Sequence, residues 1–297
     1  MENVSELSIV IPTYNQECAR LVEELYEQAR QVEGLRYEII VAEDGSTSRD
    51  TIEANSRISH LPCCRQIVRR ENVGRAAIRN FLVSEARHPW LLFIDSRMQI
   101  ADDMFLAHYL SHATADLVYG GYTVREDPSL RHNLRYLYER HYQKRHPASE
   151  RQSHPYMDFH TSNFMVRKRL LADCPFDERF QHYGYEDVLY GKQLERRGVS
   201  ILHIYNPVMF DKFESNERFM AKTDEALHTL YLYKEELGSH SRMIQLSDRL
   251  KRWHLIGAVR LAYRCFGKHW RKNCTGVKPS VRVFNLYRLG KFVEKRD

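Results

Sequence analysis

No apolar stretch in this 297-residue chain approaches the roughly 18 residues that a membrane-crossing helix requires. A protein that spans the bilayer with helices is therefore not expected. The six cysteines (Cys18, Cys63, Cys64, Cys174, Cys265, Cys274) form no C-x-x-C pair and no zinc-ligand spacing. That excludes a zinc ribbon and a dithiol redox centre, and it reads most simply as reduced thiols in a cytoplasm. Adjacent Cys63 and Cys64 are expected to fill space in a strand. The residues from Met1 to Glu6 are acidic and lead straight into an apolar strand, which is not the pattern of a signal peptide. There is no internal repeat and no low-complexity tract, so a solenoid is not expected.

What is present is an ordinary globular composition, 43% hydrophobic and 28% charged. The length suits one α/β domain of about 200 residues plus an appendage. The net charge of +6 is unevenly placed. Residues 251–297 hold 13 Lys and Arg against 2 Asp and Glu, which is +11, so the remainder carries −5. A basic tail on a mildly acidic body points to contact with an anionic surface, either lipid or nucleic acid.

Three apolar runs each stop at a polar group. Leu7 to Ile11 runs into Pro12-Thr13-Tyr14-Asn15, Tyr37 to Ala42 into Glu43-Asp44-Gly45-Ser46, and Trp90 to Ile94 into Asp95-Ser96-Arg97. Short β-rich runs separated by helix-length stretches read as parallel strands of an α/β domain. Ligands of such sheets sit in the crevice beyond the carboxyl ends of the strands. Tyr14, Asp44 and Asp95 would meet at that edge, where both acids must face water, a ligand or a cation.

Elsewhere, periodicity predicts helices over 17–32, 75–86 and from about 101, with Ser46 or Ser48 capping another. Further strands are expected over 65–68, 116–122, 159–166 and 199–204. Arg125 to Pro155 reads as a long polar stretch, part helix and part mobile loop. A helix ends at Arg197 before Gly198, and the pattern is helical from Asn216 onward.

The segments VIPTYN (10–15), VAEDGSTSRD (41–50), ENVGRAAIRN (71–80), FIDS (93–96) and FDERFQHYGYEDVLYGKQLERRG (176–198) occur in this order. Together they resemble family 2 glycosyltransferases of the GT-A fold, over roughly residues 5–213. The resemblance implies a Rossmann-like mixed α/β sheet flanked by helices. Residues 1–213 would be the catalytic domain, with 1–100 its nucleotide-binding half and 101–213 its acceptor half. Residues 214–297 would be a basic helical extension. The implied activity is inverting transfer of a hexosyl or hexosaminyl group from a nucleotide-sugar donor, a UDP-sugar first, to a hydroxyl of a glycan or lipid-linked acceptor. Bacterial surface-polysaccharide assembly is the setting the resemblance suggests.

The same resemblance assigns residues. Pro12, Tyr14 and Asn15 would lie beside the base and ribose. Asp44 would accept a hydrogen bond from the base, with Glu43 in place of the family's first Asp. A uracil N–H suits a carboxylate acceptor. Asp44 also makes good turn chemistry, and Tyr14 reads equally as a core aromatic. Arg75, Arg79 and Asn80 match the family's Asn-x-Gly…Ala-Arg-Asn segment. The two arginines are four apart and share a helix face. Their forks suit phosphate, or a structural salt bridge. Asn163 is a candidate sugar contact, or a strand-edge residue. His154, His160 and His182 are assigned no role.

The chain departs from the family at the metal site. Mn2+ or Mg2+ is usual there, held by a D-x-D whose last Asp is Arg97 here. A metal-binding His expected after Asn-Pro-Val is Phe210, with Asp211 adjacent and His203 upstream. Asp95 alone remains as a candidate ligand. A hard divalent cation needs several oxygen ligands at close range, and Arg97 would repel it. One reading has Arg97 stabilise the departing nucleoside diphosphate in place of the metal. A second has the chain bind a nucleotide-sugar without turning it over. A third has Arg97 pair with Asp102 or Asp103.

In inverting relatives the Asp of the Glu-Asp pair opening a helix is the general base, and the Glu holds the acceptor. Asp187 and Glu186 match. The alternative is that both acids merely complement the positive end of the helix dipole. In the tail, Arg252, Arg260, Arg264, Lys268 and Lys272 form a basic stripe, with Leu255, Val259, Ala262 and Phe266 expected on the opposite face. That predicts either peripheral attachment to the inner, anionic face of the plasma membrane or a helix docked on the catalytic domain. No nucleic-acid-reading module accompanies the charge, so nucleic acid is not an expected partner.

Overall fold

The computed structural model describes residues 4–144, 147–180 and 183–295. His182 therefore lies outside the described residues. In chain order the elements are β1 (Glu6–Thr13), α1 (Ala19–Gln31), β2 (Arg36–Glu43), α2 (Arg49–Ser56), β3 (Cys64–Val68), α3 (Arg75–Glu85), β4 (Trp90–Ile94), β5 (Met98–Gln99), α4 (Phe105–Ser111), β6 (Leu117–Tyr119) and β7 (Tyr122–Thr123). There follow α5 (Leu134–Gln143), α6 (Ala148–Ser153), β8 (Asn163–Arg167), α7 (Lys168–Asp173), α8 (Glu186–Arg196), β9 (Ile201–His203), β10 (Val208–Phe210) and α9 (Asn216–Leu232). The chain closes with α10 (Lys234–Leu237), α11 (Arg242–Arg252), α12 (Ile256–Thr275) and α13 (Val281–Glu294).

These fall into two compact units. The first comprises Met1–Thr123, His146–Gln181 and Gln193–Asp211; the second comprises Val124–Arg145, His182–Lys192 and Lys212–Asp297. The sequence reading expects one domain over 1–213 and an extension from 214. Residues 124–145 and 182–192, however, group with the C-terminal helices.

The first unit is built on a seven-stranded sheet of order β3-β2-β1-β4-β8-β6-β9. β1 pairs in parallel with β2 and β4, and β2 in parallel with β3. β8 runs antiparallel to both β4 and β6, so the sheet is mixed, as the GT-A fold predicts. Leu7, Ile9, Val10 and Ile11 of β1 are wholly buried. A strand covered on both faces reads as a continuous apolar run, which is why this one was legible. A second sheet of order β5-β10-β7 was not foreseen, because its strands are two or three residues long and carry too little pattern.

The strand expected over 116–122 is interrupted. Gly120 and Gly121 separate β6 from β7. A Cβ at Gly120 would lie 2.4 Å from the Asn206 carbonyl oxygen, so only glycine lets the two backbones approach. The strand expected over 159–166 begins at Asn163, and most of 125–155 is helical. Cys64 is buried in β3, but Cys63 is exposed at a left-handed turn, φ 60°, rather than filling the strand.

In the second unit α5, α9, α12 and α13 supply an apolar core of Leu134, Phe219, Met220, Cys274, Phe284 and Tyr287. Asp224 of α9 ties the helices together. It takes Arg271 of α12 at 2.6 Å, Lys291 of α13 at 2.7 Å and the Tyr287 hydroxyl at 2.8 Å.

Candidate active site

The rim of the first unit is set by register. Thr13 is paired with Glu43 across β1 and β2, and Val10 with Phe93 across β1 and β4. The residues that follow, Tyr14, Asp44 and Asp95, therefore emerge at one edge of the sheet, with β1 between the two acids. This is the carboxyl edge, where α/β sheets place their ligands.

Asn15 stitches the first two loops together. Its Oδ1 accepts from the amides of Thr47 at 2.8 Å and Ser48 at 2.9 Å, and its own amide donates to Ser46 Oγ at 2.9 Å. Its φ of 49° is left-handed, which Asn tolerates. Ser48, not Ser46, caps α2 by accepting from Thr51 N. Tyr14 stands beside this knot, 46% exposed, and so is not a core aromatic. Pro12 is half-buried at the end of β1.

Asp44 is buried and points at the start of α3. Its Oδ1 accepts from Val73 N at 3.0 Å and its Oδ2 from Gly74 N at 3.1 Å. Burial raises the pKa of this carboxyl above the usual range, and the two amides and Arg69 only partly counter it. Gly45 packs on the same segment. A Cβ there would lie 2.3 Å from Asn72 N, and its φ is 65°. One turn further on, Arg75 and Arg79 reach the other acid. Arg79 Nη2 donates to Asp95 Oδ1 at 2.9 Å, and Arg75 Nη2 lies 3.6 Å from Asp95 Oδ2. The start of α3 thus lies between Asp44 and Asp95 and holds both. Its N-cap is Gly74, which offers no side-chain cap. A helix start of this kind, with Arg75 half-exposed beside it, suits an anion.

The two arginines differ. Arg75 is open to solvent, while the Arg79 side chain is 2% exposed and also donates to the Arg75 carbonyl at 3.1 Å. Arg79 is thus a buried salt-bridge residue, not one that reaches a phosphate. Asn80 clamps the 176–178 loop: it donates to the Phe176 carbonyl at 2.9 Å and to Glu178 at 2.8 Å, and it accepts from Phe176 N at 3.0 Å. Asn163 is a correction to the sequence reading. It is wholly buried, donates to the carbonyls of Gly121 and Asn206, and accepts from the Tyr109 hydroxyl at 2.7 Å. Its amide is fully engaged in the core, so it is no sugar contact.

The residues at the expected metal position do not fit a divalent cation. Both oxygens of Asp95 face guanidinium groups, and Arg97 follows two residues later. Phe210 is buried in β10. His203 is buried too, and its Nδ1 accepts from Arg151 at 3.3 Å while Nε2 donates to the Pro155 carbonyl at 2.9 Å. Burial, with Arg151 nearby, lowers its pKa to about 4, so it is a neutral core histidine. Arg97 is half-exposed and, among the described residues, makes no ion pair; Asp102 instead faces His108. The pairing of Arg97 with Asp102 or Asp103 is not seen.

Two features of this rim escaped the sequence reading. Glu43 is wholly buried and accepts from Ser46 Oγ at 2.5 Å, Asn55 at 2.7 Å and Gln66 at 3.3 Å. A cleft of about 710 Å³ also runs along α3, lined by Arg69, Asn72, Gly74, Asn80, Phe81 and Glu178 among others. Arg69 lies 4.5 Å above the Phe81 ring in its wall. Tyr14, Asp44 and Asp95 are not among its lining residues.

In the second unit, Glu186 and Asp187 open α8 after two consecutive left-handed residues, Gly184 at φ 99° and Tyr185 at φ 68°. Such backbone in a non-glycine residue costs about 1–2 kcal/mol and persists only when its surroundings enforce it. α9 does so. Glu225 accepts from Tyr183 N at 3.0 Å, Thr229 Oγ1 donates to the Tyr183 carbonyl at 3.2 Å, and a Cβ at Gly184 would meet Ala226 Cβ at 2.8 Å. Both acids are half-exposed. Their place in the first turn of a helix also complements its dipole.

Residues 8–174 match the family model described as Glycosyl transferase family 2. Among solved structures, a mannosyltransferase from Pyrobaculum calidifontis in complex with GDP-Man and Mn2+ is similar, with a TM-score of 0.59 and 14% identity, over 97% of this chain and 84% of that one. S. aureus TarS 1-349 is similar in complex with UDP-GlcNAc (TM-score 0.52, 18% identity) and with UDP (0.51, 17%), each over 98% of this chain and 90% of that one. At these identities the likeness is one of fold. No curated protein matches.

Proposed function

The chain belongs to glycosyl transferase family 2, and from that premise we propose that it moves a sugar from a nucleotide-sugar donor to an acceptor hydroxyl with inversion. The observation that carries this reading is the start of α3 held between Asp44 and Asp95 at the carboxyl edge of the sheet. The base lies against Tyr14 and Asp44, and a UDP-sugar is the donor. The diphosphate lies at the α3 N-terminus beside Arg75, with Arg97 as the second cation. At about 4 Å and an effective dielectric near 20, each such unit-charge pair is worth roughly 4 kcal/mol before desolvation is counted. Asp187 takes the proton from the acceptor hydroxyl as that oxygen attacks the anomeric carbon. The bond to the diphosphate breaks on the opposite side, and Glu186 holds the acceptor. Because the residues around Asp95 do not suit a divalent cation, no step is assigned to one.

The acceptor is a glycan or lipid-linked sugar of a surface polysaccharide, and the site of action is the cytoplasm. A second reading, a nucleotide-sugar-binding partner without turnover, is favoured by the engagement of both Asp95 oxygens with arginine. Purified protein incubated with a panel of UDP- and GDP-sugars and simple glycan acceptors distinguishes the two. Nucleoside diphosphate release supports transfer. Nucleotide binding by calorimetry with no release under any metal supports the partner.

A further inference from the structure

Between Asp248 and Glu294 the chain has no acidic residue and twelve Lys and Arg. The 20-residue α12 lies wholly inside this tract and is about 30 Å long. It packs on α9, α11 and α13 and buries Gly267 and Cys274. Of the apolar face expected opposite the basic stripe, Val259 and Ala262 are half-buried while Leu255 and Phe266 stay exposed. Leu255 is 45% exposed and Phe266 55%, and Trp253 and Leu261 are 66% and 64% exposed. Helical periodicity puts Leu261 and Cys265 on the side away from Cys274, together with Lys268 and Lys272, with Arg264 on the flank. Arg252 is exposed next to Trp253. Arg264 also reaches Glu294 at 3.7 Å, and Arg260 is half-buried, so the stripe is partly tied down. Cationic and large apolar groups thus share one exposed surface, with Glu294 at its α13 margin.

That combination selects its partner. A nucleic acid would meet the cations but has no use for four exposed apolar side chains. A second copy of this chain would set like charges face to face. An anionic bilayer satisfies both: headgroups meet Lys and Arg while Trp, Leu and Phe enter the acyl boundary, as in helices that lie in the plane of a membrane. No described helix is long and apolar enough to cross one. We propose that the turn at Trp253–Leu255 and the outer side of α12 dock on an anionic lipid surface, in the plane of the interface. This inference does not depend on the transfer reaction.

The full chain is to be sedimented with phosphatidylcholine vesicles with and without phosphatidylglycerol, at low and high salt. Binding is expected only to the anionic vesicles, falling with salt. Trp253→Ser with Leu261→Ser should weaken it by about tenfold or more at an unchanged melting temperature. It should also abolish the blue shift of tryptophan fluorescence on vesicle addition. Lys268→Gln and Lys272→Gln should each cost about fivefold. Three outcomes overturn the proposal: no binding of the wild-type chain to anionic vesicles, equal vesicle binding by the double serine variant, or self-association that the double serine variant abolishes while vesicles bind nothing.

Discussion

Arg79 and Asp95 form an ion pair at 2.9 Å in which the arginine side chain is almost wholly buried and the carboxylate is 24% exposed. Arg75 approaches the other oxygen of the same carboxylate from the solvent side. Removing the acid strands a buried guanidinium, which is costly. Asp95→Ala is expected to destabilise the protein by about 3 kcal/mol, read by urea unfolding. Arg75→Ala should cost under about 1 kcal/mol, because its pair is exposed, yet weaken UDP binding by about tenfold.

Donor turnover should withstand chelation. With EDTA, release of UDP is expected to stay within about twofold of the untreated rate, since Arg75 and Arg97 provide the positive charge. Arg97→Ala should lower kcat by about 10–100-fold. Complete loss of wild-type activity in EDTA, restored by Mn2+, would refute this assignment.

Asp187→Asn should lower kcat by about 10²–10⁴-fold while leaving UDP affinity unchanged, the mark of a lost base and not a lost binding group. Glu186→Gln should raise KM for the acceptor more than it lowers kcat. Equal loss of UDP affinity in both variants would contradict these roles.

The turn before those acids depends on Gly184. Gly184→Ala adds a Cβ to left-handed backbone and drives it against Ala226. A stability loss of about 2 kcal/mol is expected, with a fall in kcat larger than any change in UDP affinity. Adding Ala226→Gly to the same chain should recover part of the stability. No recovery would mean that the contact with α9 does not set the turn.

How much of this was legible follows from local chemistry. The acids at the ends of β2 and β4 and in the first turn of α8 stood out because each terminates an apolar run or opens a helix. Residues whose roles come from distant neighbours did not. Arg79 read as a phosphate ligand or a salt-bridge residue, since spacing gives its helix face but not that Asp95 would draw it inward. Asn163 looked available, because nothing local reveals that Tyr109, Gly121 and Asn206 would take every amide atom. The amphipathic reading of α12 found its periodicity but left open whether the apolar side met lipid or protein, and only Val259 and Ala262 of that side are half-buried. A phase of that kind is fixed by α9 and α13, not by the helix itself.

His203 gives the stability a pH dependence. Its folded pKa, about 4, lies below the ordinary 6.5, so the unfolded chain binds the extra proton first. The stabilisation is complete above pH 6.5 and is lost as pH falls toward 4, by about 3 kcal/mol at most. His203→Gln, which keeps an acceptor for Arg151 and a donor for Pro155, should flatten the melting temperature over that interval. An unchanged slope would assign it to other groups.

Glu43 carries a consequence for descent. One methylene longer than the aspartate usual at this place, it ends where Asn55 and Gln66 await it. Shortening it would draw the carboxylate away from both amides, and truncating either partner would leave it one donor short, with Ser46 still bonded. The three positions are free to drift only as a set, so homologues with aspartate at 43 should differ at 55 and 66 as well.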